Sequence, residues 1–443
     1  MLCMFQKSLH IQIDLRLFFA FIATFSLIGA NQAQKSDENF KSDKKWSYIS
    51  GAQRAINDSN RVHYLCQIYP TGVRVSNFDQ MELLDFHDSQ FVQFHLNANQ
   101  VYQKENNVTG PSFFISKHEV SNKEYRDFVD DCIQKIMEKQ RPDIVENFKF
   151  QSVEYINAFA EWLVSDDSIS AKKWANSKST ITTWMDFWLL KLNNRKITFK
   201  GVSIFPNTNA WISDFSLTYN DPMSDYYFIH KAYNNYPVVC VSQIQASKYC
   251  EWYTENQEII SKSKVVPQNM IYRLPTEQEW ERAASVLAEK PIKKSSGSPV
   301  KNNYLRNAEG IYIANFRPAN HDFMVDGFFY SAPVESYLPN DAGCYNMQGN
   351  VAEWTTTKES VKNVIPLVTK PSIPIKVTAY WNHIMQLPSI EGYIVKGGAW
   401  NFPEAACTVG SRTIIPQNEE RSFVGFRMVC IRKQMRFIGT PEF

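Results

Sequence analysis

Residues 343–355, GCYNMQGNVAEWT, bring Asn346, Gly349, Asn350, Glu353 and Trp354 into one short stretch. Amides and a carboxylate supply oxygens, glycine lets the backbone bend, and the closing tryptophan needs a packed surface. The apolar residues here follow neither the 3.6 period of a helix nor the 2 period of a strand. A solvated turn has no use for Trp354. The stretch therefore reads as a loop whose oxygens converge on one point. The eight cysteines stand at 3, 66, 132, 240, 250, 344, 407 and 430. None of their spacings reads as a zinc site, and their pairing cannot be deduced from sequence. For most of them a buried free thiol is the plain expectation.

The elements that must position these residues are legible in part. Ser121 with Glu124, Ser242 with Gln245, and Thr276 with Glu279 each have the spacing of a capping box, ahead of apolar residues in helical phase. The first two boxes follow short apolar runs, FFISKHEV and YPVVCV, read as strands. That is a weak echo of strand, Ser cap and helix. Between these units lies a long insertion, 132–235, with helical patterns in VEYINAFAEWLVSD and TTWMDFWLLKLNN. It ends in a loop rich in Asn, Asp, Pro and Tyr, the composition of an ordered surface loop fixed by aromatics. The segment 286–304 reads as a flexible excursion, and beyond it the pattern is strand and loop.

Over the whole chain, 47 basic and 45 acidic residues leave a formal charge of +2. That balance argues against nucleic acid or an anionic membrane surface as partner. Aromatics make up 14% of the 443 residues, with 11 Trp and 21 Tyr, which fits irregular structure cemented by large flat side chains. At the N-terminus, Lys7 and Arg16 precede the apolar run 17–30, and the chain then turns polar. The run is short for a membrane span and suits the core of a signal peptide, 1–33, with Ala30 or Ala33 as the last residue removed. The chain is then exported, with a polar leader at 34–61 and one folded domain at 62–443. No cysteine follows the apolar run to accept a lipid.

Six blocks in order resemble the formylglycine-generating enzyme, or sulfatase-modifying factor, family: FFISKHEVSNKEYRDFV, YPVVCVSQIQASKYCEWY, YRLPTEQEWERAA, GCYNMQGNVAEWT, VKGGAWN and FVGFRMVC. The resemblance implies an α+β fold, a loop-rich variant of the C-type lectin fold, here carrying a long, partly helical insertion. It implies two structural calcium ions. One would be held by the side chains of Asn346 and Glu353 with the carbonyls of Gly349 and Val351. The other would use Asn315, the carbonyl of Phe316, Asp326 and the carbonyl of Phe328. Calcium takes several oxygens of mixed kind, and a bent loop can aim them at one point. Enzymes of the family bind copper(I) with two cysteines five residues apart. Cys407 matches the second of these, while the first position is Phe402, which has no lone pair to offer. Two soft thiolates suit copper(I), so copper is not expected here, and Cys407 reads as vestigial. Arg412 and Arg427 match arginines that recur in the family and are expected to knit loops together.

The insertion segment FPNTNAWISDFSLTYNDPMSDYYFIHKAYNNYPVV is similar to part of the gliding-motility lipoproteins of Bacteroidetes, components of type IX secretion. That similarity implies a non-catalytic envelope scaffold in the periplasm, associated with the outer membrane. It would assemble into a ring with itself and a partner protein, and touch membrane only indirectly. Two other functions stand beside it: a formylglycine-generating oxidase or related oxygenase with a divergent site, and a carbohydrate-binding lectin-like module.

Overall fold

The computed structural model describes residues 44–50, 110–215, 220–256, 270–285, 305, 311–317, 326–361, 390–402 and 404–432, and the backbone of short strands at 63–64, 67–68, 91–92 and 95–96. The signal segment 1–33 and the excursion 286–304 lie outside the described residues. Among the described residues no helix is long and apolar enough to cross a membrane.

The fold is α+β. One sheet has four strands: β1 (Trp46–Ile49), β6 (Phe113–Ser116), β14 (Val429–Arg432) and β9 (Met270–Arg273), in that order and antiparallel throughout. The second sheet has six strands, ordered β13 (Val424–Gly425), β10 (Ala352–Val361), β11 (Ile390–Lys396), β12 (Arg412–Ile415), β2 (His63–Tyr64) and β5 (His95–Leu96). Two small hairpins complete the strands: β3 (Gln67–Ile68) with β4 (Phe91–Val92), and β7 (Thr198–Phe199) with β8 (Val202–Ser203).

All three expected capping boxes form. They open α1 (Asn122–Gln140) at Ser121, α8 (Gln243–Glu255) at Ser242 and α9 (Glu277–Ala284) at Thr276. In each, the cap hydroxyl accepts an N–H one turn on, and the acidic or amide side chain reaches back to the cap N–H. Both orphan donors at the helix end are thereby satisfied.

The insertion contributes α2 (Pro142–Asn147), α3 (Val153–Leu163), α4 (Ser168–Ser177), α5 (Trp184–Leu189), α6 (Ala210–Ser213) and α7 (Asp221–Tyr226). Its aromatic side chains turn inward. Phe159, Trp174, Phe187, Trp188 and Trp211 are all buried and belong to the same continuous core as Trp354 and Phe426 of the main domain. Trp184 stacks on Phe187 with centroids 5.3 Å apart, a contact worth about 0.5–1.5 kcal/mol beyond its buried area.

Three sequence expectations are corrected. The polar leader at 34–61 is not all leader, because Trp46–Ile49 form an edge strand with Trp46 3% and Ile49 1% exposed. Lys45 ties that strand to the Ser121 cap through Glu124, at 2.5 Å. Two large apolar side chains outweigh the polar neighbours that coloured the composition. The insertion boundary at 132 falls inside α1, where Cys132, Ile133 and Met137 carry on the buried face begun by Tyr125 and Phe128. YPVVCV is not a strand, since Cys240 takes φ +62 and breaks the extended run. The segment threads singly between Val120, which accepts the Val238 N–H, and Arg421, which accepts the Cys240 N–H.

Candidate functional site

The loop at 343–355 leads into β10, and its bend is built from left-handed residues: Asn346 (φ +52), Gly349 (φ +77) and Asn350 (φ +61). Gly349 has no substitute, because a Cβ there would sit 2.1 Å from the Asn315 carbonyl oxygen. That same carbonyl accepts the Asn350 N–H at 2.7 Å. The two residue sets expected to hold calcium are therefore neighbours, joined back to back.

Glu353 and Arg427 are both 0% exposed. The Arg427 fork grips the carboxylate with Nε 2.6 Å from Oε2 and Nη2 2.7 Å from Oε1. Its other N–H groups donate to the carbonyls of Ser116, Lys117 and Tyr345. All five guanidinium donors are thus satisfied, which makes an ion pair so deep tolerable. The Trp280 indole N–H adds a third bond to the carboxylate, at Oε2 and 2.7 Å. Trp354 is fully buried and donates to the Val241 carbonyl.

A residue that sequence reading passed over completes the centre. Glu119, fully buried just after β6, accepts from Asn346 Nδ2 at 3.2 Å and from Asn350 Nδ2 at 2.9 Å. Burial pushes its carboxyl up to about 8; Arg427 pulls the other way and Glu353 adds to the rise. The signal available was an acid inside FFISKHEV, otherwise read as an apolar strand. Asn346 Oδ1 is buried and has no hydrogen-bond partner among the described residues.

These residues fit a calcium ion in part. Asn346 holds an orphaned oxygen on a bent loop, as a hard cation needs. Glu353 is already committed, with both oxygens on Arg427, and would ligate only through remaining lone pairs. In the second set, Asp326 accepts the backbone N–H of Phe316 at 2.9 Å and of Phe328 at 3.2 Å. The Asp326 carboxylate is thus held to Phe316 and Phe328 through their backbone N–H groups, not their carbonyls. Asn315 donates to the Tyr330 carbonyl. Among the described residues no three His, Cys, Asp or Glu side chains converge as a metal site. Each proposed set would depend on amide and carbonyl oxygens beside one carboxylate.

The region around Cys407 has a different character. Cys407 is 0% exposed, and its thiol lies 3.7 Å from the Ala399 carbonyl and 3.9 Å from that of Phe402. Gly398, at φ +72, lets the backbone pass, since a Cβ there would stand 2.5 Å from the sulfur. Burial drives the Cys407 thiol far above its ordinary range, which favours the protonated form over the thiolate. Phe402 is buried and packs against Phe423 at 5.4 Å. The six described cysteines are all free and buried. Arg412 and Lys396 frame the same region from the second sheet. Lys396 is fully buried and sits 3.0 Å from Glu281, while Arg412 pairs with Glu277 and Glu359. Both expected arginines therefore knit loops and strands through carboxylates.

Comparison with known proteins agrees with this arrangement. A family model described as the sulfatase-modifying factor enzyme 1-like domain matches residues 90–432. The chain belongs to that family. Among curated relatives of this sulfatase-modifying factor family, the inactive Cα-formylglycine-generating enzyme 2 of Bos taurus is 33% identical over 124 residues, 28% of this chain and 33% of the relative. The formylglycine-generating enzyme of Mus musculus is 30% identical over 142 residues, 32% of each chain. That of Bos taurus is 26% identical over 197 residues, 44% of this chain and 43% of the relative. The chain thus spans between a third and a half of the length of the curated relatives it matches. The solved structure of PvdO from Pseudomonas aeruginosa is 21% identical, with a TM-score of 0.29, covering 45% of this chain and 63% of that one. The family therefore contains proteins named as enzymes and proteins named as inactive.

Proposed function

We propose that this protein is a non-catalytic member of the family: an exported scaffold of the cell envelope that works by protein contact. The observation that carries the reading is the pairing of Phe402 with a single buried thiol, Cys407, at the position where the family's enzymes hold copper(I). Copper(I) wants two soft thiolates, and a phenyl ring supplies none. Relatives named as inactive support a role without catalysis. The resemblance of the insertion to gliding-motility and type IX secretion components supports a ring or larger assembly in the periplasm, beneath the outer membrane. The inward turn of the insertion's rings narrows where contact could occur. Ile169, 79% exposed, Val153 and Phe148 are apolar side chains that it leaves in solvent.

Calcium in this reading is structural. It would bind through Asn346 Oδ1, Glu353 and the carbonyls of Gly349 and Val351, and through Asn315, Asp326 and the carbonyls of Phe316 and Phe328. When bound it supplies positive charge and fixed geometry to loops that lack a regular ladder.

The test is in-cell crosslinking of the tagged protein in its native envelope, followed by size separation and identification of what travels with it. Recovery in a large envelope assembly, weakened when Ile169, Val153 and Phe148 are changed to Ser, is the expected result. Recovery as a free monomer would overturn the scaffold reading.

A further inference from the structure

Asn346 and Asn350 are both amides whose direction could in principle be reversed, since nitrogen and oxygen have nearly the same shape. Their surroundings forbid it. Asn350 Nδ2 donates to Glu119 Oε1, and its Oδ1 accepts the Ala332 N–H at 2.7 Å. Asn346 Nδ2 faces two acceptors at once, Glu119 Oε2 at 3.2 Å and the Val334 carbonyl at 3.1 Å. Reversing either amide would set oxygen against oxygen. The Asn346 oxygen is therefore forced to the opposite side, where it has no donor, on a residue that is 7% exposed. An unsatisfied buried acceptor is costly, because the group gives up its water and gains no partner. Here two loops and a buried acid cooperate to keep it.

We propose that Glu119 is the positioning residue of the calcium loop. By accepting from both amides it fixes Asn346 Oδ1 as a ligand oxygen. The inference rests on the calcium reading given above and extends it to a residue outside the ligand set. Outer residues that orient metal ligands typically alter affinity by about 10- to 100-fold when changed.

The experiment compares calcium binding, by chelator competition and by the melting temperature with calcium against EDTA, in the full chain and in two variants. Glu119→Gln keeps the shape but presents an NH₂ group to one of the two amides. Asn350 is pinned by Ala332 and Asn346 by the Val334 carbonyl, so the new N–H set against Asn346 Nδ2 displaces that amide, and calcium affinity should fall by about 10- to 100-fold. Adding Asn346→Asp to that variant restores an oxygen facing the ion with no reversal needed, and should recover most of the lost affinity. Wild-type protein that binds calcium, with Glu119→Gln binding equally well, would overturn the positioning role and leave the calcium reading standing. Wild-type protein that binds no calcium would remove both. Should Glu119→Gln fail to fold, Glu119→Gln/Asn346→Asp is compared with Glu119→Gln/Asn346→Ala. Binding by the first alone supports the proposal, and equal behaviour contradicts it.

Discussion

Two loops of this protein descend from the same family pattern and have kept different parts of it. The loop at 343–355 retains its polar furniture: a carboxylate in a guanidinium fork, two amides aligned by a buried acid, and a glycine pressed against a carbonyl. The loop at 396–407 keeps its glycine pair and one thiol, but its interior is apolar, with Phe402 against Phe423 and the Cys407 sulfur facing backbone carbonyls. The first arrangement holds together segments far apart in sequence through buried polar contacts, whereas the second is filled by apolar packing around one thiol.

The largest effect should come from breaking the first loop. Arg427→Met removes five hydrogen bonds and leaves Glu353 buried without a counter-charge, an expected loss of about 3–5 kcal/mol, read from urea denaturation. An unchanged midpoint would mean that the centre is not what holds the loops. Next in size is calcium. At a hundredfold excess over its dissociation constant it should stabilise the wild type by about 2.7 kcal/mol, and Asn346→Ala should abolish most of that rise in melting temperature. Cys407→Ala, by contrast, trims a small side chain from an apolar pocket and should cost only about 1 kcal/mol. Its thiol should resist alkylation until the protein is unfolded, because the side chain is fully buried. Rapid alkylation of folded protein would reopen the chemical reading of that loop.

The smallest effect concerns the edge strand. Burial opposes ionisation of Glu124, but Lys45 overrides it and holds the carboxyl near a pKa of about 2. A folded pKa below the unfolded value, about 4.3, means the pair adds stability above that value and loses it as the pH falls toward 2. The difference in denaturation midpoint between wild type and Glu124→Gln should therefore shrink steadily below about pH 4. A difference that stays constant would place the stabilisation in the capping geometry instead of the charge.

Much of this was legible from local chemistry. Ser121, Ser242 and Thr276 announce their helices because capping is a short-range event fixed by residues three places apart. The 343–355 loop announced itself through amides and glycine at positions no periodic element explains. Glu119 was hidden, because its partners lie more than 200 residues along the chain and nothing in its own neighbourhood marks a buried acid. Trp46 was lost for the opposite reason, as one aromatic in a polar stretch whose burial depends on an edge of β6. From composition alone the insertion's rings read only as fixing an ordered surface loop. Only the packing of α3, α4 and α5 against one another shows that they face inward.

The most direct measurement is a copper(I) competition titration of the folded protein beside Phe402→Cys. The wild type should show no tight one-to-one site, and Phe402→Cys, which restores a second thiol five residues from Cys407, should gain one. Stoichiometric, tight copper(I) binding by the wild type, lost in Cys407→Ala, would contradict a non-catalytic role.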